Sequence, residues 1–232
     1  MRIWDISPGY LNRQSLLGEH LELHAIISIL ANKKKGYSRH PETLRWSCCV
    51  QALAQRHRQL ACEMILRGYQ EKSPVLLASL AEKEEWPEIY LDEPAAQFEL
   101  LRAKYVGREP GRIPLPRNAQ QLWSQHKYSV LARDVQLYKA IGRETACSNT
   151  DFARLARQLS ELLRQAPTTG GLKNAVQHMW GHVSHLAPAS EDNPVSWSWP
   201  RLLKETQRRA LLHQEPYLTA STALGELMLW SE

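Results

Sequence analysis

Phenylalanine is nearly missing from this chain: two residues, against eight tryptophans and eight tyrosines. The aromatic load therefore carries polar handles, which suit half-buried surfaces and stacking platforms as well as cores. Cysteine is scarce too. Cys48, Cys49, Cys62 and Cys147 show no CxxC spacing and no paired framework, so a disulfide scaffold is not expected. Long apolar runs are absent; "AIISIL" is six residues, too short to cross a bilayer. With no signal-like leader and no thiol framework, the expectation is a soluble cytoplasmic protein with reduced cysteines. Period-two alternation is lacking, which argues against half-buried strands. A Ser/His/Asp triad, a phosphate-cradling glycine loop and a dinucleotide fingerprint are all missing, so nucleotide-cofactor chemistry is not expected.

What remains is an ordinary globular composition, 43% hydrophobic and 23% charged over 232 residues, enough for one large domain or two modest ones. The net charge is +5 and the pI about 9.1, a mild bias toward polyanionic partners. The charge is uneven. From residue 33 to 67 the chain holds Lys33, Lys34, Lys35, Arg39, Arg45, Arg56, Arg58 and Arg67 against Glu42 and Glu63 alone. Such an excess either tracks phosphates or forms a solvated basic face.

Leu16, Leu17, Leu23, Ile26, Ile27 and Leu30 recur at three-to-four spacing and predict a helix over 11–31 with Asn12 as its cap. A basic loop follows. A second long helix is expected from Thr43 to Gly68, with Leu44, Val50, Leu53, Leu60, Met64 and Ile65 inward and Gly68 as its stop. The stretch "EKSPVLLASLAEKEEWPEIYLDEP" reads as one short helix and a turn-rich run. "REPGRIPLPRN" packs three of the thirteen prolines into seven residues and reads as a linker. Helical patterns resume over "AQQLWSQHKYSVLARDVQLYKAIGRET", "DFARLARQLSELLRQA", "LKNAVQHMWGHVSHLA" and "PRLLKETQRRALLH". The predicted fold is all-α, two helical units joined by a proline-rich linker: residues 1–107, a linker over 108–118, and residues 119–232.

The first residues, "MRIWDISPGY", look packed rather than frayed, because Ile3, Trp4 and Ile6 arrive at once. An α-amino group titrates at about 7.7–8.0, against about 10.4 for a lysine, so far more of it is nucleophilic at neutral pH. Held beside a carboxylate such as Glu22 of the first helix, a terminal amine is a candidate catalyst. A lone helical carboxylate more often faces solvent without a role. "MRI", "LLGEHLELHAI" and "RHRQLACEMILRGYQ", in that order, resemble the phage endonuclease V family of pyrimidine-dimer DNA glycosylases. The resemblance implies a DNA-repair glycosylase with abasic-site lyase activity, in which the N-terminal amine attacks C1′ and forms an imine. It assigns Met1 as nucleophile and Glu22 as its acid/base partner. Arg2, Lys33, Lys34, Lys35, Arg39, His40 and Arg67 become candidates for contacts to damaged DNA, with RNA as a second substrate class. No cofactor or metal is implied, since the imine is itself the electron sink. Leu21 and Ala25 stand where the family carries arginines.

The second half resembles the YbgA-like domain of unknown function. Its pattern is met by His126, Lys127 and Tyr128; by Thr168, Gly170, Asn174, Gln177, His178 and Gly181; and by Pro216, Tyr217 and Leu218. Asn174, His178, His182 and His185 share one helical face. A metal shared by His178, His182 and His185 lacks an HExxH or a neighbouring carboxylate, so a hydrogen-bonded polar cluster is the expected arrangement. His126, Lys127, Tyr128, Asn174, Gln177, His178 and His182 form a candidate second site. Two other functions fit the sequence. One is a non-catalytic nucleic-acid-binding adaptor, with a repair protein as partner; the other is an enzyme whose site lies in the YbgA-like half.

Overall fold

The computed structural model describes residues 1–75, 85–147, 150–186 and 196–231. It is all-α, with no strand among the described residues. None of its helices is long and apolar enough to cross a membrane. The chain divides into two compact units, Met1–Gly111 and Arg112–Glu232. All four cysteines are free thiols.

Unit 1 begins with a packed segment. Ile3, Trp4, Ile6, Tyr10 and Leu11 are buried, and a 3₁₀ turn spans Pro8–Tyr10. Helix α1 (Arg13–Ala31) starts at Asn12, whose Oδ1 accepts the Ser15 amide at 2.9 Å, as the cap signal predicts. α1 packs on α3 (Val50–Leu66), and Leu16, Leu23 and Ile26 of α1 and Leu53 and Leu60 of α3 are buried. The single helix expected over 43–68 is in fact two, α2 (Pro41–Arg45) and α3, and Leu44 and Ile65 are exposed rather than inward. The break centres on Trp46. Trp46 is fully buried with its indole N–H on Glu42 Oε1 at 3.0 Å, and the Ser47 hydroxyl takes the Leu44 carbonyl at 2.8 Å. Side-chain competition of this kind ends helices.

α3 stops at Gly68, where φ is +83°; the Gly68 amide bonds Ile65 O at 2.9 Å and the Tyr69 amide bonds Met64 O at 3.0 Å. This is a Schellman ending, and glycine is the residue that takes its left-handed position without strain. The short helix expected in the segment after it falls largely on 76–84, outside the described residues. α4 (Pro94–Lys104), which the sequence reading left unassigned, sets Phe98 edge-on to Tyr10 with ring centroids 4.9 Å apart.

Unit 2 is built on α5 (Ala119–Leu131), which packs on α6 (Val135–Ala146), α7 (Phe152–Leu162) and α8 (Thr169–Gly181), while α8 packs on α9 (Trp199–Leu212). The one helical run read over 119–145 is two helices, because Asp134 Oδ1 caps the Gln136 and Leu137 amides at 2.7 and 2.9 Å. Two short helices, α10 (Pro216–Thr219) and α11 (Ala223–Glu226), close the unit. Arg133 on the α5–α6 turn clamps Glu226 bidentately at 2.9 and 3.0 Å.

Candidate active site and the clusters around it

The opening segment is held by charges that are themselves buried. Glu19 on α1 meets Arg56 on α3 through both oxygens at 2.7 and 3.0 Å, and Oε1 also accepts the Trp4 amide at 3.2 Å. Arg56 Nη1 donates to Ile6 O at 2.9 Å. Burial pushes the Glu19 carboxyl up to about 7 against the pull of Arg56. Asp5 is held by Arg45 and by Gln97, whose side chain exchanges bonds of 2.8 and 2.9 Å with the Asp5 backbone and carboxylate. Removing one partner of such a buried pair strands the other, so the segment has little freedom to fray.

This clamp delivers the terminus to one place. The Arg2 amide donates to Glu22 Oε2 at 2.5 Å, so the carboxylate lies one residue from the amine. The Met1 nitrogen is 3.4 Å from His40 Nε2. His40 is also the N-cap of α2, its Nδ1 accepting the Glu42 amide at 3.1 Å. Met1, Glu22 and His40 are all half-buried. The Arg2 guanidinium lies over Trp4 at 4.5 Å and bonds Asp92 at 2.6 Å.

The basic loop ends at this same His40. Lys33, Lys34, Lys35 and Arg39 are exposed, and Lys34 Nζ reaches Ser28 Oγ at 2.8 Å. Tyr37, which the sequence reading passed over, is 71% exposed on a backbone with φ +56°. A bulky residue held there and presented to solvent is the kind of strain found at working surfaces. Arg67 is engaged elsewhere: its guanidinium bonds Glu63 at 2.7 Å and the carbonyls of Leu11, Pro8 and Gly9 at 2.7, 3.3 and 3.2 Å. It ties the end of α3 to the opening segment. Leu21 and Ala25 are both exposed on α1.

A second cluster in unit 1 was not assigned from the sequence. His57 Nε2 lies 3.1 Å from both His20 Nε2 and His24 Nε2, and His20 Nε2 lies 3.1 Å from Glu71 Oε2. Burial lowers His57 to about 4, and burial also lowers His24, so both are neutral imidazoles near pH 7. The "HLELH" spacing puts His20 and His24 one turn apart on α1, but the third histidine is 33 residues further on and meets them only when α3 packs.

In unit 2 the candidate residues separate. Tyr128 hydroxyl lies 2.6 Å from His182 Nε2, and His182 Nδ1 is 3.7 Å from Glu215. Lys127 Nζ lies over the rings of Tyr128 and Tyr217 at 4.7 and 5.1 Å. Burial raises Tyr128 to about 12 and lowers both Lys127 and His182. His126 points elsewhere, fully buried with Nδ1 2.9 Å from Leu122 O, and burial lowers it to about 4. Gln177 and His178 are exposed and Asn174 is half-buried. Gln177 lines an open cavity of about 510 Å³ with Thr169, Lys173, Trp197 and Trp199. Glu215 joins the Lys127 cluster without having been singled out, since its place depends on how α9 ends.

Residues 1–77 match the family described as pyrimidine dimer DNA glycosylase, and the match supports DNA-repair glycosylase function at the level of that family. Residues 127–196 match the family described as protein of unknown function (DUF1722). Both resemblances read from the sequence are thereby shown, one in each unit. No curated protein and no solved structure matches the chain.

Proposed function

We propose that the protein is a DNA-repair glycosylase with abasic-site lyase activity, working through the amine of Met1. The observation that carries this reading is the position of that amine, one residue from the Glu22 carboxylate and 3.4 Å from His40 Nε2, at the end of an exposed basic loop. The amine attacks C1′ of the damaged nucleotide, the glycosidic bond breaks, and the base leaves with a proton. The sugar ring opens to an imine, whose positive nitrogen acidifies the C2′ hydrogen. Loss of that proton expels the 3′ phosphate, and water then releases the amine. Glu22 faces the cationic intermediates and serves as acid and base. His40 Nδ1 is occupied as an acceptor, so a neutral ring carries its proton on Nε2, facing the amine and placed to donate that proton rather than to accept one.

Damaged DNA is the substrate class. Lys33, Lys34, Lys35 and Arg39 supply phosphate contacts, and Tyr37 offers a face to an unstacked base. Flipping a nucleotide costs a few kcal/mol, least at a damaged pair, which favours lesions over intact duplex. Arg2 and Arg67 hold the terminus rather than the phosphates. Unit 2 handles nucleic acid or a repair partner.

The test is borohydride trapping on duplexes with an abasic site or a cyclobutane dimer. Wild-type protein with a free terminus gives a covalent adduct at Met1, and an N-terminal extension or Glu22→Gln abolishes it. DNA binding without any adduct would instead favour the non-catalytic adaptor.

A further inference from the structure

We infer that unit 1 carries a zinc-class metal site, in which the Nε2 atoms of His20, His24 and His57 and the carboxylate of Glu71 hold one divalent transition-metal ion. The inference does not depend on the catalytic reading above.

The donor atoms converge on one point. The three ring nitrogens all lie within 4.8 Å of one another. Their close contacts are 3.1 Å for His57 with His20, 3.1 Å for His57 with His24, and 3.1 and 3.8 Å for Glu71 with His20 and His57. An ion with four tetrahedral bonds of about 2.0–2.1 Å separates its ligand atoms by about 3.3 Å. The three contacts at 3.1 Å are near the length of such an edge, while the 3.8 Å contact and a spread of up to 4.8 Å among the ring nitrogens leave the ion to draw the donors together.

Hydrogen bonding alone does not explain the arrangement. Each imidazole Nε2 offers one donor or one acceptor site. His57 Nε2 faces two other ring nitrogens and a carboxylate oxygen, and His20 Nε2 faces both His57 and Glu71. Three contacts at 3.1 Å share too few protons and lone pairs to be good hydrogen bonds together. A cation at the centre satisfies all four atoms at once.

The surroundings orient the donors as they do in metal sites. The Ser73 amide donates to Glu71 Oε1 at 2.6 Å, leaving Oε2 toward the histidines. The Ser73 backbone also hydrogen-bonds His24. His20 and His57 are buried and Glu71 has only 15% of its side chain exposed. Three imidazoles with one carboxylate suit Zn²⁺ and disfavour Ca²⁺ or Mg²⁺, which take oxygen ligands. Four protein ligands close the coordination sphere, which marks a structural site rather than a catalytic one. The ion would staple α1 to α3 and to the chain just past the Gly68 stop. Its two α1 ligands stand two residues either side of Glu22, so it also fixes the turn that presents that carboxylate.

The test uses the full chain, purified without a histidine tag and with its exposed thiols alkylated. Metal analysis should find one zinc per chain. Stripping with a chelator should lower Tm by about 5 °C or more, with zinc restoring it. Co²⁺ should bind one equivalent with the intense visible bands of four-coordinate cobalt. His24→Asn and Glu71→Gln, at the more accessible corners, should each weaken zinc binding at least tenfold. These two substitutions and the chelation experiment keep the test decisive if a change at buried His57 prevents folding. Zinc that dialyses away without any change in Tm, or that binds equally well to His24→Asn and Glu71→Gln, would overturn the site. Imine trapping at Met1 is read separately, so either conclusion can fail alone.

Discussion

His40 makes two contacts with two nitrogens, so the catalytic part proposed for it is separable. Nδ1 caps α2, while Nε2 faces the Met1 amine. Asparagine caps helices as well as any residue, so His40→Asn keeps the first contact and deletes the second. The substituted protein should melt within about 1 °C of wild type, since a retained cap leaves stability nearly unchanged. Its rate of imine formation should fall by roughly 10²-fold, the lower range for loss of a positioned proton-transfer group. Single-turnover trapping measures this, and an unchanged rate would remove His40 from the mechanism. A different histidine, like His57, makes stability depend on acid. His126 is wholly buried and its pKa falls from 6.5 to about 4 because burial penalises the charged ring. The unfolded chain therefore binds the extra proton first. The stability this residue contributes is complete above about pH 6.5 and is lost as pH falls toward 4, reaching roughly 3 kcal/mol. Urea unfolding at stepped pH should show this slope, and His126→Gln, which retains a donor for Leu122 O, should reduce it while leaving the part due to His57.

At the scale of elements, the sequence was legible where a signal was local and opaque where it depended on packing. The Asn12 cap and the Gly68 stop were read correctly, because cap chemistry and left-handed backbone belong to single residues. The break between α2 and α3 was not, since Trp46 leaves the helix to be buried and only tertiary structure tells where it goes. The same limit hid the histidine cluster: two ligands stand in a visible i, i+4 pair, but His57 and Glu71 become neighbours only through the α1–α3 contact and the turn after α3. In unit 2 the Thr-x-Gly pattern placed weight on Gly170, around which a side chain has open space. The tight position is its neighbour. A Cβ on Gly171 would stand 2.0 Å from the Ala132 carbonyl oxygen, where α8 begins against the end of α5. Gly171→Ala should destabilise unit 2 by about 1–3 kcal/mol, the range for overpacking, whereas Gly170→Ala should be neutral or slightly stabilising. Thermal melts of the two substitutions side by side measure this difference.

For the molecule as a whole, net charge is a poor guide and its placement a better one. A formal +5 spread over 232 residues gives little long-range steering, and several cations are already spent. Arg45, Arg56, Arg67 and Arg133 are paired to carboxylates within the fold. Arg2 is paired with Asp92. What remains exposed on the loop after α1 is the run Lys33, Lys34 and Lys35, with Arg39 just before His40. If these four make the phosphate contacts, DNA affinity should fall with salt at a slope of about −0.9 per contact. Replacing Lys33, Lys34 and Lys35 by glutamine should then reduce the slope by about 3 and weaken intact and lesion-bearing duplexes alike, because phosphate contacts carry no sequence or lesion information. Tyr37→Ala should behave in the opposite way. It removes a stacking face and no charge, so it should leave the salt slope unchanged while narrowing the preference for a duplex with an unstacked base, by roughly 1–3 kcal/mol. Fluorescence anisotropy across a salt series, on matched intact and abasic duplexes, separates the two effects. An unaltered slope in the triple-lysine protein would move the DNA-binding surface away from this loop, and with it the main argument that binding and the Met1 amine share one face of unit 1.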